Sequence, residues 1–135
     1  MIVGRPGGVN CNLSYFYGRK YGADKEAFFR TADIFVFPTY YHNECFPLVL
    51  LEAMQHGVPC ISTCEGGVPD IIEDGKTGYI VERRRPEQLV AKMERILNDR
   101  VLRESMGRAG RCKFEQEFTL RTFEERICEV LGNLV

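Results

Sequence analysis

The stretch that decides the fold is Glu44–Glu52, ECFPLVLLE, read with the run before it, Ile34-Phe35-Val36-Phe37. Four apolar residues between Asp33 and Pro38 read as a short buried strand. Pro38 to Cys45 follows as a loop rich in hydrogen-bonding side chains: Thr39, Tyr40, Tyr41, His42, Asn43 and Glu44. Pro47 suits the first position of a helix, because it has no N–H to leave unpaired and its φ is already helical. Leu48, Val49, Leu50, Leu51, Ala53 and Met54 are apolar nearly all round and predict a buried helix, which Gly57 stops. A strand, a polar loop and a buried helix in this order put a helix N-terminus at the carboxyl edge of a sheet. Open α/β sheets bind ligands at that edge, and the free N–H groups of a helix start favour anions.

Two carboxylates frame this helix. Glu52 shares a face with Gln55 and His56, three and four residues on, which is the spacing of a solvated stripe. Glu44 stands just ahead of a positive helix end, where any acidic residue is favoured. Spacing alone leaves these readings open beside the functional one.

The segment ADIFVFPTYYHNECFPLVLLEAMQHGVPCIST resembles the donor-binding segment of family 4 retaining glycosyltransferases of the GT-B type. The family signature of a Glu, seven residues and a second Glu is matched by Glu44 and Glu52. The flanking AD-x-F-x-x-P and EAM-x-x-G-x-P match as well, and GGVPDIIEDGKTGYIV is similar to a second segment of the same family. The likeness runs from about Tyr15 to the C-terminus.

The resemblance implies a nucleoside diphosphate sugar as donor. The N–H groups of Leu48, Val49 and Leu50 would meet its diphosphate, phosphate contact beginning at Leu48 because Pro47 replaces the Gly of many relatives. Glu52 corresponds to the carboxylate that accepts hydrogen bonds from the ribose hydroxyls. Glu44 corresponds to the catalytic-site carboxylate that touches the donor sugar. Thr39, Cys45 and Phe46 fall on the same loop and are assigned to the substrate pocket. Gly66 and Gly67 would allow close approach of the sugar or phosphate, although by themselves they read as a turn. Asp70 stands where the family has Glu, one methylene longer. The implied reaction retains anomeric configuration and uses no metal at a D-x-D motif; the sequence has none, and neither cofactor nor metal is expected.

The family's basic Arg and Lys pair lies on a segment upstream of Tyr15, and Arg19 and Lys20 do not occupy its place. The expectation is therefore the donor-binding, C-terminal half of a GT-B enzyme, truncated at its N-terminus and inactive without an N-terminal acceptor-binding domain. Alternatives are a non-catalytic nucleotide-binding module, or half of another GT-B enzyme such as a nucleotide-sugar epimerase.

The rest of the chain sets bounds. Its 135 residues allow one domain with a real core. With 18 basic and 19 acidic residues the net charge is −1, and no basic patch argues for nucleic acid; Arg83-Arg84-Arg85 reads as a solvated loop. No signal peptide is expected, and no apolar run reaches membrane-spanning length. Six cysteines without a C-x-x-C pair, and two histidines that complete no zinc pattern, read as reduced, mostly buried thiols of a cytoplasmic protein.

Residues 1–14 read as an irregular segment and 15–135 as a Rossmann-like nucleotide-sugar-binding domain. Strands are expected at Asn12 to Tyr17, Ile34 to Phe37, Val58 to Thr63 and Tyr79 to Val81, forming a parallel sheet of about four strands with helices on both faces. Asp24 is placed as cap of the first helix, with Ala27, Phe28 and Ala32 facing inward. Pro69 opens a short helix. Three helices finish the chain, from Pro86 to Asn98, after Asp99, and after Thr119. The first of these is expected to bury Leu89, Val90, Met93, Ile96 and Leu97. The last carries Leu120, Phe123, Ile127, Val130, Leu131 and Leu134 on one side. That apolar side and an unpaired sheet edge predict self-association into a homo-oligomer.

Overall fold

The computed structural model describes residues 2–3, 18–41 and 43–133. The strand expected at Asn12 to Tyr17, and His42, lie outside the described residues. The elements run β1 (Ile2–Val3), α1 (Gly22–Thr31), β2 (Ile34–Phe37), α2 (Leu48–Gln55), β3 (Cys60–Thr63), α3 (Val68–Ile71), β4 (Gly78–Val81), α4 (Pro86–Asn98), α5 (Arg100–Glu117) and α6 (Leu120–Gly132). The sheet order is β1-β2-β3-β4. Strands β2, β3 and β4 are parallel, with Phe35 opposite Cys60 and Cys60 opposite Gly78. Strand β1 falls within the segment read from sequence as irregular, and it makes the sheet mixed: Ile2 pairs with Phe35 and Val3 with Ile34 in antiparallel sense. An antiparallel neighbour on the β2 edge escapes the crossover helix that a parallel one requires.

Alternation along the strands divides the interior in two. Phe35 and Cys60 point to one face, where they meet Phe29 of α1, Leu50, Ala53 and Met54 of α2, and Val68 and Ile71 of α3. Ile34, Val36, Ile61, Tyr79 and Val81 point to the other, against Ile96 and Leu97 of α4 and Met106 of α5. Helix α5 spans both clusters, because Phe114 near its C-terminal end packs with the first. A sheet covered on both faces explains why the strands read as continuous apolar runs.

Several local expectations shift. Tyr21 stands at the N-cap of α1 without a side-chain cap, and Asp24 lies inside the first turn. Phe29 is the buried residue of that helix, while Ala27 is exposed and Phe28 and Ala32 are half-buried, so the inward stripe is rotated by one residue. Val90 of α4 is exposed; Ile96 and Leu97 are buried as expected. Asp99 and Thr119 cap their helices, their side chains accepting from Leu102 N and Thr122 N.

The thiols are the clearest reversal. Of the five cysteines among the described residues only Cys60 is buried; Cys45, Cys64, Cys112 and Cys128 are exposed. Burial pushes the Cys60 thiol up to about 12, which removes its thiolate, and with it its reactivity, at neutral pH. All five are free.

Helix α6 buries none of its residues. Leu120, Phe123, Ile127, Val130 and Leu131 are all more than two-fifths exposed, so its apolar side faces away from the core described here. Among the described residues no helix is long and apolar enough to cross a membrane.

Candidate functional site

Because β2, β3 and β4 are parallel, the segments that follow them all leave the sheet at one edge. Side chains and backbone groups near the strand ends tie these segments together. Ser62 Oγ donates to Phe37 O at 2.7 Å, and Thr63 Oγ1 donates to Thr39 O at 2.5 Å, so β3 fixes the start of the loop after β2. Thr39 Oγ1 accepts from Tyr41 N and turns the loop; Tyr41 O in turn accepts from Glu44 N at 2.9 Å. Thr39, expected among the ligand contacts, is thereby also a hinge of the loop itself.

The end of that loop rests on the segment after β3. Gly67 N donates to Cys45 O at 2.7 Å. Gly66 has φ +47°, and a Cβ built there would overlap the Glu44 carbonyl. A Cβ on Gly67 would crowd Cys45 O and the Phe46 ring. The two glycines therefore allow close approach of one backbone to another. They bring the Gly-Gly turn against Glu44, Cys45 and Phe46. The Phe46 ring packs on Phe118, with centroids 5.9 Å apart, while Cys45 is exposed.

Pro47 stands at the N-cap of α2 and not at its first helical position, and it contributes no side-chain cap. Leu50 N already donates to Pro47 O at 3.0 Å, which among the described residues leaves Leu48 N and Val49 N as the open donors of the helix start. Helix α2 is also less enclosed than its composition suggests. Leu50, Ala53 and Met54 are buried, Val49 and Leu51 are half-buried, and Leu48 is 66% exposed. The apolar Leu48 thus sits exposed at the start of the helix.

Glu52 lies on the second turn of α2 with its side chain 37% exposed. It is not simply a solvated stripe residue. Its Oε1 takes the Lys25 ammonium of α1 at 2.6 Å. One turn further along both helices, His56 stacks on Phe29 at 5.6 Å between centroids, and His56 Nδ1 is 2.9 Å from Glu52 O. Lys25 gave no signal in the sequence, because its partner lies 27 residues away across a strand.

Sequence reasoning also passed over Glu65. It is buried at the end of β3, next to Gly66, and pairs with Arg83 of the loop after β4. Arg83 Nη2 donates to Glu65 Oε2 at 2.5 Å, and Nε lies against Oε1 as an ion pair without hydrogen-bond geometry. One member of the Arg83-Arg84-Arg85 run is therefore a clamp between two loops, and the run is not wholly a solvated one. The signal for it was a carboxylate wedged between an apolar strand and Gly-Gly. Asp70 is exposed, and it is its backbone oxygen that accepts from Lys113 at 2.8 Å. Among the described residues no three His, Cys, Asp or Glu side chains come together as a metal site.

A helix-covered parallel sheet with a loop-and-helix mouth at its carboxyl edge defines a Rossmann-like α/β domain. The chain belongs to the glycosyl transferases group 1 family, whose model matches residues 11–113. It is 36% identical over 108 residues to the capsular polysaccharide biosynthesis glycosyltransferase CapM of Staphylococcus aureus, a match covering 80% of this chain and 28% of that one. In structure it is similar to the C-terminal domain of a glycosyl transferase group 1 family protein from Francisella tularensis. That match has 29% identity and a TM-score of 0.67, over 78% of this chain and 53% of the other. It is also similar to Anabaena HepE in complex with UDP-glucose, with TM-score 0.74 over 84% of this chain and 31% of the other; at 19% identity this likeness establishes the GT-B fold alone. The chain spans about a quarter of the length of the curated relatives it matches, from 20% to 28% of the first four.

Proposed function

We propose that this chain is the donor-binding part of a retaining glycosyltransferase of family 4, and that the mouth of α2 receives a nucleoside diphosphate sugar. The observation that carries the reading is the juxtaposition at one sheet edge of the open Leu48 and Val49 N–H donors with two carboxylates, Glu44 and Glu52, in the family's spacing. The helix start supplies N–H donors and positive potential to the diphosphate. Glu52, a turn deeper, accepts the ribose hydroxyls. Glu44, whose carbonyl rests on Gly66, presents its carboxylate to the donor sugar as the catalytic-site residue. Thr39, Cys45 and Phe46 shape the pocket wall. Gly66 and Gly67 act on the donor through the loop they hold. The solved complex of HepE with UDP-glucose supports a donor of this class.

Transfer also needs an acceptor held against the donor in an enclosed cleft, since positioning and electrostatic stabilisation are the main resources of such chemistry. In this reading a second, acceptor-binding domain supplies that wall. Calorimetry with UDP, ADP and GDP tests the donor part: at least one diphosphate binds, and binds more tightly than its nucleoside. In the same preparations, the polypeptide of residues 1–135 transfers no sugar from the corresponding nucleotide sugars. Absence of binding by all three defeats the proposal, and mass-verified product from the pure polypeptide defeats the division of labour.

A further inference from the structure

We infer that Lys25 is a positioning residue for the ribose-binding carboxylate, an inference that rests on the donor-site reading above. Helices α1 and α2 meet through two rungs. Phe29 stacks on His56 and is anchored edge-on against Phe35 of β2 at 5.5 Å. Lys25 is one turn before Phe29, and Glu52 is one turn before His56, so the same helix faces meet again at the 2.6 Å ion pair. Both N-termini therefore lie at the same end, and the Lys25 ammonium sits beside the mouth of α2. A lysine in the first turn of a helix opposes that helix's own dipole. Its placement answers to Glu52 across the gap and not to α1.

The pairing leaves the carboxylate able to work. An ionised Glu offers about four lone-pair positions, and a single ammonium hydrogen occupies one of them. Among the described residues the pair engages Oε1 alone, and Oε2 is the oxygen left for ribose hydroxyls. Lys25 holds Glu52 in one rotamer before a ligand arrives, so less side-chain freedom is lost on binding. His56 on α2 lies 2.9 Å from the Glu52 backbone oxygen through Nδ1, and Glu26, the neighbour of Lys25 on α1, is paired with Arg30.

The test uses Lys25→Met, which keeps the length of the side chain and removes the charge, and Lys25→Gln as a second variant should the first fold poorly. Each is titrated with the tightest-binding of UDP, ADP and GDP and with its 2′,3′-dideoxy analogue, beside the melting temperature. The expected result is a loss of threefold or more for the ribose ligand, almost no change for the dideoxy ligand, and a near-native melting temperature. Lys25→Arg restores the ribose preference. Equal losses on both ligands, or a gain in affinity, overturn the role of Lys25 while leaving the donor site standing. Failure of the wild-type chain to bind any of the three diphosphates removes the donor-site reading, and the role of Lys25 with it.

Discussion

Gly66→Ala destabilises the chain by about 2–5 kcal/mol and disorders the mouth of α2. Two costs combine. The left-handed φ of +47° costs an L-residue about 1–2 kcal/mol. The new methyl group also meets the Glu44 carbonyl, which is backbone and cannot swing aside, and overpacking of this kind costs about 1–3 kcal/mol. Gly75 is the internal control. It too is left-handed, at φ +77°, but a Cβ there meets nothing within 4 Å. Gly75→Ala therefore carries the conformational cost alone. Denaturant midpoints of the two variants isolate the contact between the Gly-Gly turn and the Glu44 loop. Equal destabilisation would show that the two segments are not tightly apposed. In the functional reading, Gly66→Ala also weakens nucleoside diphosphate binding, because the loop that leads into Leu48 has to move.

Glu52→Gln reduces affinity for the ribonucleoside diphosphate on the order of tenfold or more. Hydrogen bonds to an ionised carboxylate contribute roughly 1.5–3 kcal/mol, and about 1.4 kcal/mol is a factor of ten. The amide keeps the size of the side chain but offers one neutral acceptor and an unwanted donor toward the ribose. Loss of the Lys25 ion pair has little effect on stability, since both side chains are about one-third exposed and such pairs contribute roughly 0–1 kcal/mol. The loss shrinks for the 2′,3′-dideoxy ligand, and the four titrations form a cycle that isolates the contact. Equal losses for both ligands would place Glu52 outside the ribose pocket.

The parts of the fold legible in the sequence are those dictated by local pattern. Ile34–Phe37 and Cys60–Thr63 are apolar runs of strand length, and Asp99 and Thr119 stand where a side-chain oxygen can reach a free N–H. The helix from Pro86 to Asn98 shows a full helical period and has the bounds expected of it. Contacts distant in sequence were not legible. The phase of α1 was misread because Phe28 and Phe29 are equally apolar, and the choice between them is made by Phe35 and His56. The exposure of Leu48 and of four cysteines was missed because composition reports what a side chain tolerates, not what lies opposite it. At the candidate site the order of groups along the chain was readable, from Glu44 through the helix start to Glu52. The groups that hold them were not: Lys25 reaches Glu52 from 27 residues away, and Arg83 reaches Glu65 from 18. The Gly66-Gly67 turn is legible as a place of close approach, and one group that comes close there, the protein's own Glu44 carbonyl, is not.

The measurement that tests the central claim most directly is an amide-resolved NMR titration of the chain with UDP, ADP and GDP. The account predicts saturable shifts, for at least one of the three, at the amides of Leu48, Val49 and Glu52, and a weaker response from Gly66 and Gly67. It predicts no shifts at Leu120 to Leu131 of α6. Saturable binding that leaves Leu48 and Val49 unmoved, or no response to any of the three diphosphates, would contradict it.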